Sequence, residues 1–133
     1  MSLPDTLIEL RRQIVVAKNR RDRCVELVAL RRAEALIQAT RQAKSERPEC
    51  KPGKELGENE EQRDAAFLAY LAGESDTAEA YHDARADLED VSIVLALHEA
   101  EIEGLYLGVR LRELDVPAID FPVTARVPFG AQS

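Results

Sequence analysis

There is no tryptophan in these 133 residues, and there are only three phenylalanines and three tyrosines. A compact β fold draws its faces from aromatic and β-branched side chains, so this scarcity argues against one. The two cysteines, Cys24 and Cys50, stand in unrelated contexts. They are too few for a zinc site and are expected as thiols rather than as a structural disulfide. No apolar run reaches the eighteen residues of a membrane span. The N-terminus lacks the hydrophobic core of a signal peptide, so a cytoplasmic location is the expectation. Neither a Gly-rich phosphate loop nor a Gly-x-Ser-x-Gly elbow occurs. With two histidines in all, histidine-based catalysis has little to work with.

What is present is helix. Hydrophobic residues make up 45% of the chain and charged residues 32%, a balance that suits a helical protein long enough to form a core. The organising stretch runs from Asp76 to Asp115, between an Asp-x-x-Glu start (Asp76, Glu79) and Pro117. Within it Tyr81, Ala84, Leu88, Val91, Leu95, His98, Ile102, Leu105, Val109 and Arg112 recur at alternating spacings of three and four. That is the seam of a long helix packed in coiled-coil fashion. His98 in this stripe reads as an edge-of-core residue hydrogen-bonded to a neighbour, and His82 as exposed.

Before it, residues 6–44 contain no Gly or Pro and predict a first long helix, entered through Pro4-Asp5-Thr6 with Asp5 or Thr6 as N-cap. One apolar stripe is Leu7, Leu10, Ile14, Ala17, Val25, Val28, Leu36 and Ala39. A second stripe, Ile8, Val15, Leu30, Ala33 and Ile37, lies well round the helix. Two apolar sides imply two neighbours, one of them another subunit. Arg21 and Arg32 fall in the first stripe and need carboxylate partners, an edge position or a polar lumen.

Residues 45–58 carry two prolines and two glycines and predict a flexible loop. A short helix over 59–72 follows, with Asn59 as N-cap, Gln62 completing a capping box and Gly73 as the stop. Its buried side is expected from Ala65, Leu68, Leu71 and Ala72. The tight turn at 73–75 folds it back along the long helix of 76–115. Three prolines among residues 116–133 leave an extended tail there. The expected fold is therefore all-α: a single helical domain over 1–133, an elongated long–short–long antiparallel bundle, oligomeric, with an extended C-terminal tail.

The net charge of −7 hides a split. Residues 1–54 hold 13 Lys and Arg against 7 Asp and Glu, whereas residues 55–133 hold 5 against 18. Either the halves neutralise each other, the basic helix facing the acidic strip of Glu79, Asp83, Asp87 and Asp90, or the basic helix meets nucleic acid or an acidic partner. On the long helix, beyond that strip, Ile93, Leu97, Ala100, Gly104, Leu107, Gly108 and Leu111 form a second apolar surface. A mid-helix glycine costs about 1 kcal/mol relative to alanine, so Gly104 and Gly108 call for a close backbone. Ile93, Leu97, Ala100, Gly104, Gly108 and Leu111 are the expected oligomer interface.

Two resemblances to known families bear on function. Glu58-x-x-Glu61 and Asp87-x-x-Asp90 would lie level in the hairpin, a layout that resembles the all-α nucleoside triphosphate pyrophosphatases. That resemblance implies Mg²⁺ held by Glu58, Glu61, Asp87 and Asp90, although Asp87 stands where the family has Glu. The order of a basic helix, a loop, Asn-Glu-Glu-Gln-Arg (Asn59–Arg63), a short helix and a long amphipathic helix ending near Arg110–Arg112 resembles small phage-encoded proteins. Among these it is similar to the UvsY-type recombination mediators, over about residues 5–113. It implies an oligomer without enzymatic activity or a cofactor, partnered by single-stranded DNA or a DNA-processing protein. Arg11, Arg12, Lys18, Arg20, Arg21 and Arg23 would contact phosphate without sequence preference. A purely structural assembly module is the remaining alternative.

Overall fold

The computed structural model describes residues 2–114. The expected extended tail at 116–133 and the last expected helical residue, Asp115, lie outside the described residues. The described chain is all-α: α1 (Leu3–Glu46), α2 (Glu60–Leu71) and α3 (Asp76–Glu113), with no strand among these residues. No described helix is long and apolar enough to cross a membrane.

The helix starts are set by side-chain caps. Ser2, not Asp5 or Thr6, starts α1: its Oγ accepts from the Asp5 amide at 3.3 Å, and its carbonyl accepts from Thr6 N–H at 3.0 Å. Pro4 then falls in the first turn, where its missing N–H would have had no partner in any case. In α2, Asn59 Oδ1 accepts from the Gln62 amide, and Gln62 Oε1 accepts from the Glu58 amide, both at 2.8 Å. These are the reciprocal bonds of a capping box, displaced by one residue on the second arm. α3 begins at Asp76, as expected, and is capped from the residue before it: the Ser75 hydroxyl accepts from the Ala78 amide at 3.2 Å.

The chain divides into two compact units, with α1 and α3 each contributing to both. The larger is Val16–Leu95. Its core is Ala35, Ala39, Phe67, Leu71 and Ala78, with Leu36, Leu56, Tyr70 and Tyr81 packed against it. The α2–α3 hairpin is antiparallel, tied by a 2.6 Å bond between the Tyr70 and Thr77 hydroxyls and by His82 Nε2–H donating to the Leu71 carbonyl at 2.7 Å. His82 is exposed, as expected.

Two packing expectations fail here. In α2, Ala65, Leu68 and Ala72 are exposed, and the buried pair is Phe67 and Leu71. The bulkier aromatic has more surface to remove from water, so it sets the phase of this short helix. In α1, Val25 is exposed, while Cys24 and Val28 are half-buried. The helix keeps a period of 3.5 through Ala17, Arg21, Cys24, Val28, Arg31 and Ala35, and Val25 falls one residue off that seam.

The loop expected over 45–58 is present and carries side-chain hydrogen bonds to its own backbone. Arg47 donates to the Glu55 carbonyl at 2.5 Å, Lys54 to the Glu58 carbonyl at 2.8 Å, and the Gly53 amide to Glu55 Oε1 at 3.0 Å. Gly53 adopts φ 86°, a conformation glycine takes without steric cost. Leu56 anchors the loop to the core.

The smaller unit joins residues 2–15 of α1 to residues 96–114. Leu10 is its buried residue; Leu7, Ile14, Ile102, Leu105 and Val109 are half-buried. Arg11 Nε donates to the Tyr106 hydroxyl at 3.1 Å, and its guanidinium carbon lies 5.7 Å from the ring centroid. Across both units the expected α3 seam from Tyr81 to Val109 is buried or half-buried throughout; Arg112, at its end, is exposed. A terminal guanidinium gains more from water than from a seam that is running out.

Candidate interaction surface

The cations of α1 are displayed rather than neutralised across the fold. Arg12 pairs with Glu9 at 2.8 Å, Arg21 with its neighbour Asp22 at 3.3 Å, and Arg31 with Glu34 at 3.0 Å. Each pair lies within α1. Glu79, Asp83, Asp87 and Asp90 are exposed, and among the described residues no ion pair links them to α1. Lys18, Arg20 and Arg23 are exposed, with no carboxylate in ion-pair range among the described residues. Arg11 is also exposed but engaged with Tyr106. Arg32 finds neither carboxylate nor lumen: it is exposed and stacks over Phe67 at 5.0 Å. Its place beside the seam, not in it, lets the charge reach water while the planar group covers the ring.

In the Glu9–Arg12 pair each partner perturbs the other's proton affinity. The Arg12 hydrogen bond holds the Glu9 carboxyl below its ordinary value, with Gln13 helping and partial desolvation opposing. Glu9 in turn raises Arg12.

The four carboxylates of the metal alternative do not gather. Glu58, Glu61, Asp87 and Asp90 are all exposed, with Glu58 outside α2 before its cap. Among the described residues no three His, Cys, Asp or Glu are grouped so as to hold a metal ion. Cys24 and Cys50 are free and half-buried. His98 sits at the core edge as expected, but without the expected hydrogen bond. Its Nδ1 is buried and unpartnered, with the Glu101 carboxylate 3.5 Å away.

The largest departure from an ordinary monomer surface is apolar. Among the described residues, half of the buried hydrophobics are alanines: Ala17, Ala35, Ala39, Ala78 and Ala84. Large side chains meanwhile point outward. On α1 these include Ile8, Val15, Leu30 and Ile37, which form the expected second stripe together with exposed Ala33. On α3 they include Ile93, Leu97, Leu107 and Leu111. Ala100 and Gly104 lie exposed among them, and Gly108 is half-buried. A Cβ added at Gly104 or Gly108 would meet nothing within 4 Å. The close backbone that the glycines call for is therefore not supplied by the described residues. Sequence reasoning found every one of these interface candidates but overlooked Leu114, which is also exposed and continues the same spacing. No protein-family model, curated protein or solved structure matches the chain.

Proposed function

We propose that this chain is a non-enzymatic, self-associating helical module whose basic first helix gives the assembly a surface for nucleic acid. The observation that carries the reading is the outward apolar face of α3. Burying a leucine contributes about 1.5–3 kcal/mol, and this helix leaves Leu97, Leu107 and Leu111 uncovered, as is Leu114 just past its end. Another copy is the partner chemistry such a face fits, since closed homo-oligomers are the usual way a helical chain covers it.

The nucleic-acid part rests on a second observation, the exposure of Lys18, Arg20 and Arg23 with no carboxylate in ion-pair range among the described residues. Contact there would be with phosphate and independent of sequence, because few aromatic side chains are available for stacking on bases. Affinity for labelled single-stranded DNA should fall steeply with salt, each phosphate contact adding about 0.7 to the log–log slope. Lys18→Ala/Arg20→Ala/Arg23→Ala should flatten that slope by about two while leaving the helical circular dichroism unchanged. No binding even at low salt would remove the nucleic-acid part and leave self-association to stand or fall on sedimentation.

A further inference from the structure

Resting on the self-association reading, we infer that the outer seam of α3 pairs with the same seam of a second copy running in the opposite direction. Leu97, Ala100, Gly104, Leu107, Leu111 and Leu114 follow one another at alternating spacings of three and four. This is the a/d pattern of a coiled coil, and it lies opposite the seam that α3 uses within its own chain. Leu97 is 61% exposed, Leu107 55% and Leu114 68%. The whole stretch belongs to one compact unit.

The order of sizes selects the direction. The seam is symmetric about a point between Leu105 and Tyr106. Two antiparallel copies centred there place Leu97 against Leu114, Ala100 against Leu111, and Gly104 against Leu107. Every small residue then meets a leucine of the other copy, and an isologous two-fold contact repeats each pair. Knobs fill holes without a gap, and Gly104 gains a neighbour that no described residue supplies. A parallel pair in register would instead set Gly104 on Gly104 and Ala100 on Ala100, leaving voids between full leucine layers.

Charge points the same way. Glu103 and Arg110 flank the seam on one side, both exposed and without an ion-pair partner among the described residues. The antiparallel arrangement brings Glu103 of each copy beside Arg110 of the other, twice by symmetry. In the parallel one Glu103 would face Gly108 and gain nothing.

Disulfide trapping tests the direction. The full chain would carry Cys24→Ala/Cys50→Ala, with either Ala100→Cys or Leu111→Cys added and one variant tagged to distinguish its mass. Mild oxidation of the mixture should give the mixed dimer, and Ala100→Cys alone should give none. In the antiparallel pair its two copies sit about 16 Å apart at ~1.5 Å per residue, beyond disulfide reach. Self-linked Ala100→Cys without the mixed product would overturn the antiparallel pairing. Should Leu111→Cys loosen the dimer, charge exchange decides independently. Arg110→Glu should weaken association at least tenfold by sedimentation, and Glu103→Arg/Arg110→Glu should restore it. A double variant no better than the single one contradicts the arrangement. An oligomer that fails both tests retains the self-association reading and loses the direction; a monomer at all concentrations loses both.

Discussion

At the scale of single residues, position relative to a seam decides what each charged or aromatic group does. Phe67 is buried against α1 alanines, with Arg32 capping its outer side, whereas Leu68 next to it is 67% exposed. Phe67→Ala should therefore cost about 3–5 kcal/mol in urea unfolding, and Leu68→Ala no more than about 0.5 kcal/mol. Similar losses for the two would refute the phase assigned to α2. Glu9 provides a pH test. Its folded carboxyl is lowered by the Arg12 hydrogen bond, so the pair's contribution is present above the ordinary carboxylate range and lost as pH falls through the lowered value. Arg12 is exposed and Glu9 only half-buried at the surface, so the effect is to be read locally. The Glu9 carboxyl resonance should titrate below its ordinary midpoint and move back up in Arg12→Ala. An unchanged midpoint would show that the pair does not form in solution.

At the scale of elements, the long helices were legible in sequence because periodicity accumulates over many turns. The α3 seam is the clear case: its residues from Tyr81 to Val109 were read correctly, since spacings of three and four repeated without a break. α1 was read less well. Charged and small residues, Arg21, Cys24 and Arg31, hold half of its mid-helix seam, and an apolar-only reading drifted onto Val25. α2, with 12 residues, offers too few turns for periodicity to overrule one aromatic side chain. The caps were missed by a residue or more at Ser2 and Ser75 because serine is common outside caps, whereas the Asn59–Gln62 pair was recognisable from two matching positions. Over 45–58 the prolines and glycines predict a loop, but composition carries no record of the Arg47 and Lys54 bonds to carbonyls eight and four residues on. Charge was legible only as totals: no spacing tells whether α1 cations meet α3 acids or face water.

At the scale of the whole molecule, the chain buries alanines and displays leucines, and the exposed Lys18, Arg20 and Arg23 have no carboxylate in ion-pair range among the described residues. On the proposed reading, the first property is met by a second copy and the second by a polyanion. The outer seam of α3 is the more demanding of the two, because its cost to a lone chain is paid in every turn. Sedimentation equilibrium of the full chain, beside Leu97→Glu/Leu111→Glu, tests this most directly. The wild type should sediment above its 14.8 kDa chain mass, and the double variant should fall to that mass with helix content retained. A wild type that stays at the chain mass across the concentration range would contradict the account.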